Sequence, residues 1–320
     1  MNLNKSYINF RTDMADERVD TYKKVHNLSS IDGVIVNEEY KNDINIVTVE
    51  VINENGEKAI GKKIGKYITV ELYDADYVDE LGKKTLINII YKLIDSLIED
   101  KKSILVVGLG NIYVTPDALG PKVVKYLDVN RHLFKFAKEL VNINDKELSA
   151  LAPGVLGTTG IETSEMIESI VKKTKPDIVI AIDSLASGSM TRVGKTIQIS
   201  NTGLNPGSGV KNKRVGIDFE TLNVPVIALG VPTVVDMATI TNEAIDKVIA
   251  TTKQEIEEFN NDNIKDSNVI MKLLNSDGRY QMIANTLHTE NYIVTPKEID
   301  ELIDKMSEII ANSINMVIPS

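Results

Sequence analysis

Hydrophobic positions along this chain fall into two recurring patterns. Short, continuous apolar runs are typical of strands buried on both faces of a sheet, and three of them lie at Ser103–Leu109, Ile178–Ile182 and Val224–Leu229. Apolar residues at helical spacing indicate amphipathic helices, and this spacing occurs at Tyr77–Glu99, Ser164–Lys173, Asp236–Lys253 and Pro296–Ile310. Buried strands that alternate with helices predict an α/β fold, in which helices flank a mostly parallel central sheet.

The N-terminal region follows a different pattern. Between residues 31 and 75, the β-like runs GVIV, INIVTVEVI and KYITVEL are separated by polar segments, one of which contains an Asn-Gly turn signal. This pattern predicts a smaller β-rich subregion near the N-terminus.

Two segments stand apart from the predicted core. Residues 1–10 are polar and lack periodicity, so we interpret them as a leader that precedes a single domain over residues 11–320. The stretch at residues 253–275 is rich in Glu, Asn and Asp, which predicts an exposed insertion.

Composition narrows the possible chemistry. The 320 residues include no Cys, which excludes disulfides, thiolate nucleophiles, Cys-ligated zinc and iron–sulfur clusters. Three scattered His residues offer little material for a metal site, and we expect neither a metal nor a cofactor. A net charge of -10 argues against direct nucleic-acid binding. The apolar runs are far shorter than the ~20 residues of a membrane span, and the N-terminus lacks a secretory signal, so we expect a cytoplasmic protein.

Three acidic residues each follow a predicted buried strand: Asp117, Asp183 and Asp236. Ligands of open parallel sheets bind outside the carboxyl ends of the strands. Two carboxylates held close together share one proton, so one can activate water while the other acts as an acid, which suits amide hydrolysis. Structural roles also fit each residue, because Asp117 and Asp236 are placed to cap helices and Asp183 is placed to pin a loop.

Glycine-rich and polar segments surround these acids. They fit turns that only glycine can make, or a cleft whose backbone N–H groups hold an extended peptide. The pair Gly108 and Gly110 lacks the third glycine of a dinucleotide fingerprint, because Tyr113 stands there. Ser184 is not part of a G-x-S-x-G nucleophile motif. The residues that we expect to support the site or bind substrate are Gly108, Gly110, Asn111, Thr115, Gly154, Thr158, Ser184 and Asp236.

Several blocks of the sequence resemble the germination protease family of spore-forming Gram-positive bacteria. In chain order they are GLGNIYVTPDALGP, RHLF, PGVLGTTGIET, KPDIVIAIDSLAS, IQISNTGLNPGSGVKNKR, PVIALGVPTVVD and YIVTPKEID. The resemblance covers nearly the whole chain. It implies an endopeptidase that degrades small acid-soluble spore proteins during germination, with a fold similar to that of hydrogenase maturation endopeptidases. It assigns the catalytic acids to the TPDALG and AIDSLA blocks, which are Asp117 and Asp183 here.

The resemblance also implies how the protein is made, processed and assembled. Such enzymes are made in the developing spore as self-processing zymogens and assemble as tetramers. We expect the leader to be cut between Tyr7 and Arg11, and we hypothesise that it fills the cleft as a substrate-like plug. The chain lacks the Asp-Thr-Gly and Asp-Ser-Gly motifs of pepsin-like peptidases, so only their two-carboxylate logic applies. Two alternatives remain at this point: a metal-dependent endopeptidase like the hydrogenase maturation enzymes, and a non-catalytic Rossmann-like binding module.

Overall fold

A computed structural model describes residues 12–41, 44–72, 79–142, 145–204, 215–246 and 292–318. The leader predicted at residues 1–10 and the insertion predicted at 253–275 lie outside these ranges.

The described residues form a single sheet with helices on both faces. The strands are β1 (Val34–Lys41), β2 (Ile44–Val51), β3 (Gly65–Leu72), β4 (Ser103–Gly108), β5 (Glu147–Leu151), β6 (Ile178–Ser187), β7 (Thr196–Ser200), β8 (Val226–Asp236) and β9 (Ile293–Val294). The helices are α1 (Ala15–His26), α2 (Glu54–Ile60), α3 (Glu80–Ile98), α4 (Leu119–Lys125), α5 (Arg131–Phe136), α6 (Leu156–Thr159), α7 (Thr163–Thr174), α8 (Phe219–Leu222), α9 (residues 237–246) and α10 (Ile299–Asn315). Three short 3₁₀ turns lie at Thr115–Asp117, Lys138–Leu140 and Met190–Arg192.

The sheet has a parallel half and an antiparallel half. Its strand order is β1-β2-β3-β7-β8-β6-β4-β5, with β9 paired to β8. The pairings β8-β6, β6-β4 and β4-β5 are parallel, whereas those from β1 to β8 through β2, β3 and β7 are antiparallel. The predicted α/β class is therefore confirmed, but the prediction of a mostly parallel sheet holds only for one half.

The N-terminal β-rich segment belongs to this same sheet. Its strand β3 pairs with β7, so β1, β2 and β3 extend the central sheet and do not stand apart from it. The segment between β6 and β7 spans residues 188–195, which is too short for the crossover of a dozen or more residues that a parallel return requires. For this reason the sheet changes to antiparallel pairing at β7.

The two faces of the sheet are covered differently. On the first face, α3, α4 and α10 pack their apolar sides against strand residues such as Ile104, Ile180 and Ile227. On the second face, α7 and α8 cover part of the parallel half, where they meet Leu105 and Val179. Helices α1 and α2 cover the antiparallel half of that second face. These two helical groups leave a gap between them over the middle of the sheet.

Local sequence explains where these helices begin and end. The side chain of Asp79 accepts a hydrogen bond of 2.6 Å from the Gly82 N–H, which caps α3 at its N-terminus. Helix α2 is capped by Asn53 and ends at Gly61, whose φ of 65° is the left-handed conformation that favours glycine. The helices predicted from apolar spacing at Tyr77–Glu99 and Pro296–Ile310 correspond to α3 and α10, whose observed ends lie within five residues of the predicted ones.

Candidate active site

A cavity of about 1040 Å³ occupies the gap on the second face. Its floor is the sheet itself, at residues such as Asp183, Gln198 and Gly230. One wall comes from the N-terminal segment, α1 and the end of α2, and the other comes from the loops that follow β4 and precede α7. Both predicted catalytic acids, Asp117 and Asp183, line this cavity.

Asp117 stands at the end of a short turn that follows β4. The turn is a 3₁₀ helix over Thr115–Asp117, and the α-helix α4 begins only at Leu119. Asp117 therefore ends this turn two residues before α4 begins, and Ala118 occupies the N-cap position of α4. One carboxylate oxygen of Asp117 accepts a hydrogen bond of 2.8 Å from the Asn111 N–H, which ties the acid to the glycine loop.

Glycine is required at two points beside Asp117. Gly110 has a φ of 113°, and a Cβ added there would lie 1.9 Å from the Asp117 carbonyl oxygen. A Cβ on Gly108 would lie 2.2 Å from the Gly120 carbonyl oxygen, so this glycine permits the close approach of β4 and α4. The glycine loop therefore positions Asp117 through direct backbone contact.

Asp183 lies within β6, whereas the sequence placed it just beyond a strand end. Pairing with β4 stops at Ile182, but pairing with β8 continues, and this keeps residues 183–187 in the strand. Asp183 is thus the first residue of β6 beyond its pairing with β4. The Leu109 N–H donates a hydrogen bond of 2.8 Å to the Ile182 carbonyl oxygen, which joins the Asp117 loop to β6 beside Asp183.

Asp183 faces Gln198 across the floor of the cavity. Both residues are in register with Gly230 of β8, the strand between β6 and β7. Residues in register on neighbouring strands project to the same face, and two strand spacings separate their Cα atoms by about 10 Å. Asp183 and Gln198 therefore project into the cavity from opposite sides of a glycine.

The segment that precedes α1 enters the cavity from the opposite wall. The Asp13 N–H donates a hydrogen bond of 2.8 Å to the Ala186 carbonyl oxygen, and the Ala186 N–H donates one of 3.0 Å to the Asp13 carboxylate. The Asp13 carbonyl oxygen accepts two more bonds, one of 2.6 Å from Lys62 Nζ and one of 3.1 Å from Gln198 Nε2. The same Gln198 side chain accepts a bond of 2.7 Å from the Ala15 N–H.

Two cations, Arg18 and Lys62, belong to this wall. Arg18 donates to the carbonyl oxygens of Thr12 and Ile60 at 3.0 and 3.4 Å. Burial lowers the pKa of both cations, and the pKa of Lys62 falls to about 8. Both are positioned by main-chain oxygens, and within the described ranges neither forms an ion pair with a carboxylate.

An ion cluster fixes α1 to the end of β6. Arg192 pairs with Asp16, with Glu17 at 3.1 Å and with Glu71 at 2.6 Å. Glu17 also accepts hydrogen bonds of 2.7 Å from Ser187 Oγ and from a neighbouring main-chain N–H. These contacts hold the cavity wall that carries Arg18.

The other predicted site residues divide into two groups. Those that line the cavity are Gly110, Asn111, Gly154, Ser184 and Asp236. Those that do not line it are Gly108, Thr115 and Thr158, and their contacts lie within the β4–α4 packing and two local turns.

Two of the lining residues show local features of their own. The Ser184 N–H donates to the Asp183 carboxylate at 2.9 Å, while its Oγ is buried and has no hydrogen-bond partner among the described residues. Asp236 is the last residue of β8, where it pairs with Ile293 of β9, and it directly precedes α9, so it stands at the start of a helix as the sequence suggested.

Sequence reasoning missed Asp13, Arg18, Lys62 and Gln198 as members of this cavity. A local signal for Gln198 is its amide side chain between two isoleucines in the run TIQIS. The contacts of Asp13 and Lys62 join segments far apart in the chain, which no local pattern reveals.

In the described part of the chain, no group of three or more acidic or His side chains is arranged to hold a metal ion. Of the helices that the structure describes, none combines the length and the apolar character needed to cross a bilayer.

Comparisons with known proteins point to one family. A sequence profile of the family described as germination protease matches residues 11–271. A germination protease from Clostridium perfringens is 44% identical over 323 residues, which cover 97% of this chain and 95% of that protein. One from Priestia megaterium is 39% identical over 352 residues, which cover 98% and 94%. Among solved structures, a NiFe hydrogenase maturation protease from Thermococcus kodakarensis is 20% identical, with a TM-score of 0.31, and covers 44% of this chain and 80% of that one.

Proposed function

Because the chain belongs to the germination protease family and is therefore an endopeptidase, we propose that Asp117 and Asp183 form its catalytic pair. One observation carries this proposal. Both carboxylates line one cavity, and the loop that holds Asp117 is hydrogen-bonded to β6 at the residue before Asp183.

The proposed reaction needs no covalent intermediate. One aspartate, ionised, takes a proton from a water molecule as the water oxygen attacks the peptide carbonyl carbon. The other, protonated, donates a hydrogen bond toward the carbonyl oxygen and later supplies its proton to the departing amine. The general rule behind this division of roles is that two carboxylates acting on one substrate group resist ionising together.

The proposed substrates are small acid-soluble spore proteins, cleaved during germination in the cytoplasm of the spore core. We propose further that the chain is made as a zymogen, that it removes its own leader between Tyr7 and Arg11, and that it assembles as a homotetramer. The position of Asp13 supports the idea that the leader acts as a plug, because residues directly after the leader already enter the cavity.

Incubation with a purified small acid-soluble spore protein tests the substrate proposal. We expect one or two discrete cuts, seen by gel electrophoresis and mass spectrometry of the fragments. An intact substrate after prolonged incubation with self-processed enzyme would contradict the proposal.

The leader proposal is tested separately, by intact-mass analysis of the purified chain over time and by deletion of residues 1–10. We expect a new N-terminus between residues 7 and 11, and a gain in activity on deletion. A new N-terminus beyond residue 11 would refute the placement of the cut, and a deletion without gain would refute the plug.

A further inference from the structure

The cavity contains a pair of donors that already binds a peptide carbonyl. Lys62 Nζ and Gln198 Nε2 both donate to the Asp13 carbonyl oxygen, at 2.6 and 3.1 Å. This main-chain carbonyl is thus held by two side-chain donors at once, one cationic and one an amide. Asp13 and both donors line the same cavity as Asp117 and Asp183.

The position of Gln198 relates this donor pair to the proposed catalytic acids. Gln198 and Asp183 project from the same face of the sheet, on either side of Gly230, with Cα atoms about 10 Å apart. The carbonyl held by Gln198 therefore lies over the same face of the sheet as Asp183.

We propose that Lys62 and Gln198 form the oxyanion-binding pair of the peptidase site, and that the scissile carbonyl of a substrate replaces the Asp13 carbonyl at these two donors. This inference rests on the proposed two-aspartate site. A cationic donor gains strength as the carbonyl oxygen becomes negative, so the pair stabilises the transition state more than the bound substrate. Both residues touch the reacting group and are catalytic residues in that sense.

The chemical step balances with these roles. The water oxygen bonds to the carbonyl carbon while its proton passes to the ionised aspartate, and the π electron pair moves onto the carbonyl oxygen, held by Lys62 and Gln198. That electron pair then re-forms the carbonyl as the C–N bond breaks, and the nitrogen takes the proton of the other aspartate. Because this donor pair holds the carbonyl oxygen, the protonated aspartate can give up its own hydrogen bond to that oxygen and pass its proton to the amine.

Conservative substitutions test the proposal in the chain without residues 1–10, in wild type and variants alike, so that failed self-processing does not enter the comparison. Lys62→Met keeps the length of the side chain and removes the donor. Gln198→Glu keeps the oxygen that accepts from Ala15 and removes the amide donor. We expect each change to lower kcat for cleavage of a small acid-soluble spore protein about 100-fold or more, with KM within about threefold, as for the loss of other oxyanion donors.

Lys58→Met is the matched control. Lys58 also borders the cavity, but its side chain is 73% exposed and pairs with Glu54 at 3.0 Å, so the change removes one charge without removing a carbonyl donor. We expect its kcat to stay within about twofold of the wild type. Circular dichroism and thermal melts establish that each variant is folded.

A pH profile separates a donor from a merely structural residue. The pKa of Lys62 lies at about 8, because burial and Arg18 lower it more than Asp13, Asp16 and Glu17 raise it. The wild-type kcat should therefore fall as the pH rises through this region. Replacement by arginine, which stays charged, should move the fall to higher pH.

The outcomes are distinct. Suppose that the wild type cuts the substrate but either donor variant keeps its kcat within about threefold of the wild type, or differs from it only in KM. The oxyanion role is then wrong, while the peptidase proposal stands. If kcat of Lys62→Arg fell at the same pH as that of the wild type, the oxyanion role would also be wrong. If the wild type cuts no substrate, the proposed function itself fails, and the inference fails with it.

Discussion

Gly110→Ala tests how the glycine loop positions Asp117. The added Cβ would lie 1.9 Å from the Asp117 carbonyl oxygen and 3.1 Å from its carboxylate, so the loop and the 3₁₀ turn must move apart. This movement disturbs the 2.8 Å hydrogen bond from the Asn111 N–H to the Asp117 carboxylate. Because Asp117 is proposed to act in catalysis, a small displacement affects activity as well as stability.

Two effects add to the energetic cost of the substitution. Alanine at a φ of 113° is strained by roughly 1–3 kcal/mol. Relief of the backbone contact adds roughly 1–3 kcal/mol, the usual range for overpacking. A total of roughly 2–6 kcal/mol would lower Tm by roughly 3–10 °C in a chain of 320 residues, given about 2.1 cal/mol/K of unfolding entropy per residue. A misplaced catalytic group by itself costs about 100-fold in rate.

The assay compares Gly110→Ala with Gly157→Ala. Gly157 also lies at the cavity, but its added Cβ would meet no atom within 4 Å and its φ is not positive. We expect Gly157→Ala to match the wild type in Tm and in cleavage rate. A Gly110→Ala variant that also matched the wild type in both would refute the view that this contact positions Asp117.

Three further predictions concern the wall opposite Asp117. Burial lowers the pKa of Lys62 from 10.5 to about 8, so between pH 8 and 10.5 the unfolded chain binds more protons than the folded one, and the free energy of unfolding of the wild type should rise with pH by at most about 3 kcal/mol. Urea unfolding of Lys62→Met should lack this rise, and a pH dependence identical to that of the wild type would contradict the lowered pKa. Arg192→Met leaves Asp16, Glu17 and Glu71 without their cation and should lower the free energy of unfolding, measured in urea, by about 3–5 kcal/mol. A loss of less than about 1 kcal/mol would show that the cluster does not hold α1 in place. Ser184→Ala removes a buried hydroxyl without a partner among the described residues, so Tm should stay equal or rise, and a clear fall in Tm would reveal a bond to that hydroxyl.

Sequence patterns predicted β4, β6 and β8 in the parallel half of the sheet, because these strands read as continuous apolar runs. They did not predict the edge strand β5, whose residues are mostly only partly buried. They did not predict that β1, β2 and β3 join this sheet. The joining pair is β3 with β7, and a pairing between strands so far apart leaves no local signal. The length of β6 was also missed, since it depends on continued pairing with β8 and not on its own apolar run.

The candidate site was predictable where it follows the strands. Asp117 and Asp183 were identified as acids near strand ends, and the structure places both on one cavity. Lys62 and Gln198 were not identified, because a lysine in a loop and a glutamine in a strand are ordinary features. Their contact with the carbonyl of Asp13, in a distant segment, is what distinguishes them.

Single Asp→Asn substitutions at positions 117 and 183 test the two-aspartate site most directly. Asparagine keeps the shape of the side chain but can neither take nor supply the proton, so each variant should lose about 100-fold or more in cleavage of a small acid-soluble spore protein. Self-processing should fail as well, while Tm shows that the fold is intact. Asp236→Asn, in the same cavity, should affect stability or local geometry more than the reaction. Near-normal cleavage by either Asp117→Asn or Asp183→Asn would contradict the proposed catalytic pair.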